Sequence, residues 1–177
     1  MTNLAELGTR EGLTDTGRLR GDVTTSLPTE ATITGQIEFQ HAPRILLIRV
    51  DGNPAPRWLG PTSEALNRLS SLGANWDSYG ALPIDPAHLV SAIELLSLIM
   101  RESTPVPSVV PTTQGSVQLE WHTRGVDLEI EVLSPQRFIV SFEDAVNGDQ
   151  WEREITVDVT LLVKAIDRIT GNRRSTP

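Results

Sequence analysis

Two runs of alternating apolar and polar residues constrain the fold of this chain more than any other feature. Residues 117–122 read Val-Gln-Leu-Glu-Trp-His, and residues 126–132 read Val-Asp-Leu-Glu-Ile-Glu-Val. A period of two is typical of half-buried strands, because successive side chains point to opposite faces of a sheet. The short polar segment between the runs predicts an antiparallel hairpin with one apolar face and one face rich in carboxylates.

The apolar faces of these two strands coincide if Trp121 pairs with Val126. Glu120 then lies opposite Asp127, and such like-charged neighbours destabilise a sheet unless a cation or strong hydration compensates. A second hairpin is predicted by Asn147-Gly148, a dipeptide that favours a two-residue type I′ turn between a strand over 137–145 and the strand that follows.

Helical spacing of apolar residues predicts three helices, over residues 63–72, 86–102 and 159–170. Thr62 and Asp85 are predicted as N-caps of the first two. The helices lie outside the run of strands. This order favours an α+β fold, in which an antiparallel sheet of four or more strands carries two or three helices on one face.

Composition divides the chain into three parts. Residues 1–34 are rich in Thr, Gly and charge without a sustained period, which predicts a flexible arm. Residues 35–171 hold the elements of a single α+β domain, and residues 172–177 form a basic tail that we expect to be frayed. No secretory signal is visible and no apolar stretch approaches the roughly 20 residues of a membrane span, so we expect a cytoplasmic protein.

The acidic residues of the chain are concentrated in the predicted sheet. The formal net charge is −8, from 15 Lys+Arg and 23 Asp+Glu. Residues 116–158 hold ten acidic and three basic residues and so account for seven of these eight charges. This balance disfavours nucleic acid as the partner, because phosphate binding requires a basic surface. A protein with a basic surface is the expected partner.

Motifs for enzymatic chemistry are missing from the sequence. The chain has no cysteine, and it matches neither the nucleophile elbow nor a phosphate-binding loop. These observations favour a protein that is not an enzyme, and they assign no cofactor. An alternative is a metal-dependent hydrolase, with ligands drawn from the carboxylate side of the first hairpin: Glu120, His122, Asp127 and Glu129. Any polar strand face produces this spacing by chance, so no metal is assigned.

The loop 75–81 reads Asn-Trp-Asp-Ser-Tyr-Gly-Ala and is the most distinctive local sequence. Trp76 and Tyr79 either fill the gap between helices and sheet or form an exposed recognition site together with Asp77. In the first reading, Asp77 binds backbone amides of the turn.

Three segments resemble blocks shared by a group of small uncharacterised bacterial proteins. They are the loop 75–81, Pro-Thr-Thr-Gln-Gly-Ser-Val-Gln-Leu-Glu-Trp-His at 111–122, and Asp-Leu-Glu-Ile-Glu at 127–131. The resemblance covers residues 75–132. It implies a bacterial or phage origin and a shared domain, and it implies no catalytic residue. Gly115-Ser116 departs from the Gly-Gly expected before the Val-Gln-Leu-Glu-Trp block.

These observations predict a non-enzymatic protein-binding or regulatory protein of a bacterial or phage two-gene system, similar to an antitoxin or an immunity protein. The predicted partner-binding residues are Trp76, Asp77, Tyr79, Glu120, His122, Asp127, Glu129 and Glu131. Besides the metal-dependent hydrolase, a further alternative is a structural subunit that forms homo-oligomers through its strand edges.

Overall fold

The computed structural model describes residues 55–171 and, before them, the backbone of three strands. We number the elements in chain order as β1 (Val23–Ser26), β2 (Thr32–Glu38), β3 (Ile45–Asp51), α1 (Leu59–Ser70), α2 (Pro86–Ile99), β4 (Ser108–Pro111), β5 (Val117–Thr123), β6 (Val126–Ser134), β7 (Arg137–Asp144), β8 (Asp149–Ile155) and α3 (Thr160–Thr170).

The predicted α+β fold is confirmed. Strands β4 to β8 form a five-stranded antiparallel meander in sequence order, and β1 to β3 form a separate three-stranded antiparallel sheet. The alternation in β5, β6 and β7 places their apolar residues on one face, which packs against the three helices in a single buried core. The opposite face of the meander consists mainly of polar and charged side chains.

Helix α2 lies at the centre of this arrangement. It contacts β5 and β6 of the meander and also β1, β2 and β3 of the smaller sheet. A helix covered on several sides needs apolar residues around most of its circumference, and most positions of α2 are buried. As predicted, the helix begins with Asp85 as its N-cap, whose carboxylate accepts a hydrogen bond from the Ala87 N–H at 2.8 Å.

The β5–β6 hairpin forms, but in a register two residues away from the prediction. Thr123 pairs with Val126, and a two-residue turn connects them. Both turn residues, Arg124 and Gly125, have positive φ angles of 57° and 72°, as a type I′ turn requires. Glu120 therefore lies opposite Glu129 and not opposite Asp127. A shift of two residues leaves every side chain on its predicted face.

The β7–β8 hairpin is likewise present with a different register. Asp144 pairs with Asp149, so the turn has four residues where Asn147-Gly148 alone predicts two. Asn147 does not have the positive φ that a type I′ turn needs. The Asp144 carboxylate closes the wider turn by accepting hydrogen bonds from the backbone N–H groups of Val146 and Asn147.

Helix boundaries differ from the prediction mainly at α1. This helix begins at Leu59, and Thr62, the predicted N-cap, lies buried within it. Pro61 is compatible with the first turn because an N–H at that position has no partner within the helix. Helix α2 ends at Ile99 rather than near residue 102. Helix α3 ends as predicted at Gly171, whose φ of 84° is the left-handed conformation of a C-terminal cap.

The part of the chain before residue 55 differs from the sequence-based outline. Strand β1 and the first residues of β2 fall within residues 1–34, the segment predicted as a flexible arm. The rest of that arm and the tail 172–177 lie outside the described residues. Strand β4 has no counterpart in the prediction, which makes the meander one strand wider.

Candidate functional site

The face of the meander that points away from the helices carries the main concentration of charge. We call this surface the outer face and define it by the side chains of Gln118, Glu120, His122, Asp127, Glu129, Glu131, Ile139, Ser141, Glu143, Gln150, Glu152 and Glu154. Seven of these twelve residues are carboxylates. Antiparallel pairing places four of them in two like-charged pairs. Glu120 lies directly opposite Glu129, and Asp127 lies directly opposite Glu143. Such pairs destabilise the free sheet.

Gln118 holds the first of these pairs together. Its side-chain nitrogen donates to Oε1 of Glu120 at 3.2 Å and to Oε2 of Glu129 at 3.0 Å. All three side chains are half-buried, so their positions are restrained. One neutral amide satisfies one oxygen of each carboxylate and leaves both negative charges in place.

His122 connects the first carboxylate pair to Asp127. Its Nδ1 donates to Oδ1 of Asp127 at 2.7 Å, and its Nε2 lies 3.6 Å from Oε2 of Glu120. The hydrogen bond to Asp127, and to a smaller extent the nearby Glu120 carboxylate, raises the pKa of His122 above its ordinary value. When His122 is protonated, it places a positive charge between Asp127 and Glu120 at this corner of the outer face.

We expect NMR titration of the imidazole to give His122 a pKa above that of an exposed histidine. In Asp127→Asn the pKa falls toward the ordinary value, and in Glu120→Gln it falls less, because Asp127 is the larger cause. A group with a raised folded pKa stabilises below its unfolded pKa, and this contribution disappears as pH rises through the folded pKa. An unchanged pKa in Asp127→Asn would contradict the assigned contact.

The loop 75–81 exposes the side chain of Tyr79 to solvent, whereas the side chains of Asp77 and Trp76 form hydrogen bonds that stabilise the loop. Tyr79 is 94% exposed. Asp77 accepts from the N–H groups of Tyr79 and Ala81 at 2.8 and 3.0 Å, and these bonds lower the pKa of Asp77. Trp76 is half-buried and donates its indole N–H to Leu82 O at 3.1 Å. Trp76 and Asp77 thus stabilise the loop itself, whereas the Tyr79 side chain is exposed to solvent.

The loop and the segment after it are fixed to the β4–β5 turn. Leu82 N donates to Thr113 O at 3.0 Å, and Asp85 N donates to Gly115 O at 2.9 Å. Gly115 has a φ of 81°, and a Cβ there would lie 2.7 Å from the Pro83 carbonyl oxygen. Only glycine fits this close approach. The contact joins the segment that follows the loop 75–81 to the block 111–122.

Ser116, the last residue of the β4–β5 turn, connects this turn to the outer face. The Ser116 hydroxyl donates to Oε1 of Glu131 at 2.6 Å and accepts a hydrogen bond from Thr112. Ser116 is the residue that departs from the Gly-Gly pattern, and it supplies a hydroxyl that glycine lacks. The β4–β5 turn is therefore hydrogen-bonded on one side to the segment after the loop 75–81 and on the other side to Glu131.

The structure groups the predicted site residues in two places. Glu120, His122, Asp127, Glu129 and Glu131 share the outer face, whereas Trp76, Asp77 and Tyr79 lie on the loop beside its β4–β5 end. The outer face also includes Gln118, Glu143, Glu152 and Glu154, which are not among the predicted partner-binding residues, although the alternation of β7 marks its exposed face. Glu154 differs from the others because Arg137 binds it through two hydrogen bonds of 2.8 and 3.0 Å.

Two further observations concern the described residues as a whole. Among the described residues, no three His, Asp or Glu side chains form a group that could hold a metal ion. No helix in the described part of the chain has the length and apolarity of a membrane span.

Comparison with known proteins does not place this chain in a family. The chain matches no protein-family model, and neither the curated proteins nor the solved structures give a significant match.

Proposed function

We propose that this chain is a non-enzymatic binding protein whose outer face receives the basic surface of a protein partner. The directly opposed carboxylates Glu120/Glu129 and Asp127/Glu143 carry the proposal. Their repulsion costs stability in the free protein, and Lys or Arg side chains of a partner would relieve it. Because Gln118 holds the side chains of Glu120 and Glu129 in place, these two lose little side-chain entropy on binding.

Tyr79 supports the same proposal. Exposed tyrosines are frequent among the residues that dominate binding energy, because the ring offers a large contact area with few rotatable bonds. The hydrogen bonds around Asp77 and Gly115 fix the loop that carries Tyr79. A partner that covers the β5–β6 side of the outer face would reach Tyr79 across the β4–β5 turn.

The role that we propose is regulatory or neutralising, in a bacterial or phage two-gene system of the antitoxin or immunity type, in the cytoplasm. The metal-dependent hydrolase has less support, because the described residues hold no candidate metal group. Self-association through the edge strand β8 also has less support, since Asp149, Glu152, Arg153 and Glu154 place charges along it.

Co-purification with two matched variants tests this proposal. The double variant Glu129→Lys/Glu152→Lys changes the net charge by +4 on the outer face. The control variant Glu64→Lys/Glu102→Lys makes the same change in net charge on α1 and just after α2. We expect a stoichiometric basic partner with the wild-type chain and with the second variant, and its loss with the first or at high salt. Equal recovery by all three chains, or no partner at all, would argue against the proposal.

A further inference from the structure

A groove of about 280 Å³ lies on the helix side of the molecule, between α2 and the segment that joins β8 to α3. Helix α2 contributes one wall with Ser91, Glu94, Leu95 and Leu98. Their spacing of three or four residues places them along one side of the helix. The opposite wall includes Phe138, an inner-face residue of β7, so the groove is separated from the outer face by the sheet itself.

The rim of this groove exposes apolar side chains. Leu98 is 51% exposed and Val157 is 82% exposed. Within the described part of the chain, both are among the largest exposures of an aliphatic side chain. Two such residues on facing walls offer an apolar surface to which the aliphatic part of a ligand would bind.

The polar groups of the groove indicate which polar group the ligand carries beside its aliphatic part. Glu94 is the sole charged residue among the described residues that line it, and burial raises the pKa of its carboxyl group. The Ser91 hydroxyl is buried and has no hydrogen-bond partner within the described structure. A buried hydroxyl without a partner is rare in folded proteins and indicates a missing polar neighbour. A group that donates hydrogen bonds and carries positive charge satisfies both residues.

We propose that this groove binds a free aliphatic primary amine. The ammonium group pairs with the Glu94 carboxylate and donates to the Ser91 hydroxyl, and the alkyl chain lies along Leu95, Leu98 and Val157. The ionised Glu94 repels carboxylates and fatty acids, and a neutral alcohol cannot form an ion pair with it. This site is independent of the outer face and of the proposed partner.

Titration with 1-aminohexane, followed by the methyl NMR signals of Leu95, Leu98 and Val157, tests the proposal. We expect saturable shifts at these methyls and at least about tenfold weaker binding of 1-hexanol and hexanoate. Glu94→Gln keeps the shape of the side chain and lowers the affinity for the amine by about tenfold or more, whereas Glu64→Gln on α1 leaves it unchanged.

Ser91→Ala provides a second test that does not depend on charge. Removing a buried hydroxyl without a partner leaves the free protein at least as stable, but it weakens amine binding. Equal binding of the amine, the alcohol and the carboxylate would overturn the proposal, as would full affinity in Glu94→Gln. A dimer that is disrupted by Leu98→Asp would assign the groove to a second copy of the chain, and that result would also overturn the proposal.

Discussion

Asp144→Asn is expected to lower the midpoint of thermal unfolding by about 10 °C, because it breaks a buried ion pair and leaves one charge without compensation. The Asp144 side chain is 1% exposed and binds Arg168 of α3 through two hydrogen bonds of 2.6 and 3.0 Å. The same carboxylate accepts from the turn residues Val146 and Asn147. Its loss therefore affects both the β7–β8 hairpin and the packing of α3.

Glu154→Gln is the matched control for this experiment. It also removes a carboxylate that binds an arginine through two hydrogen bonds, but the side chains of Arg137 and Glu154 are 52% and 46% exposed. Exposed pairs contribute little to stability, so we expect a shift of no more than about 2 °C. Equal shifts in the two variants would show that the Asp144–Arg168 pair has no special role.

The effect of Asp144→Asn also depends on pH. The hydrogen bond from Arg168, and then those from the turn, hold the pKa of Asp144 below its ordinary value. A carboxyl group with a lowered folded pKa stabilises above its unfolded pKa of about 4, and this contribution is lost as pH falls through the folded pKa. Chemical denaturation at a series of pH values should show the difference between wild type and Asp144→Asn decreasing below about pH 4.

Glu129→Lys/Glu152→Lys is expected to weaken the proposed partner complex about hundredfold. Both residues lie in the middle of the outer face, where each is paired with Ser141 of β7. Replacing a carboxylate by lysine removes an attraction to a basic surface and adds a repulsion, and such juxtapositions cost several kcal/mol. Titration calorimetry at low and at physiological salt measures the change.

The folded state should tolerate this double substitution. Glu129 lies directly opposite Glu120, so a lysine there turns a like-charged pair into an opposite-charged pair. Glu64→Lys/Glu102→Lys carries the same change in net charge away from the outer face and is expected to bind almost as the wild type does. Equal weakening by the two variants would mean that net charge, and not this surface, determines affinity.

The faces of the sheet were predictable from the sequence, whereas the registers were not. The alternation of 117–122 and 126–132 decides which side chains are buried, and a shift of two residues does not alter it. The register depends on how each turn is closed. In the β7–β8 turn this is decided by the contacts of Asp144 with Val146 and Asn147, which the Asn-Gly dipeptide does not reveal.

Other parts of the site depend on contacts between residues distant in sequence. Strand β4 has only four residues and ends at Pro111, which makes its pattern too short to recognise. The role of Gly115 arises from its approach to Pro83, and the role of Ser116 arises from its bond to Glu131 across the β5–β6 pair. The composition of the loop 75–81 marks it as unusual, but the pattern alone does not distinguish Asp77, which binds the turn, from Tyr79, which is exposed.

Chemical-shift mapping of the labelled chain with its co-purified partner tests the central claim most directly. We predict that the largest changes fall on the outer face, at Gln118, Glu129, Ser141 and Glu152, with further changes at Tyr79. The helix-side residues Leu98 and Val157 should remain unaffected. Changes confined to the helices, with the signals of the outer face unmoved, would contradict the proposal that this surface receives the partner.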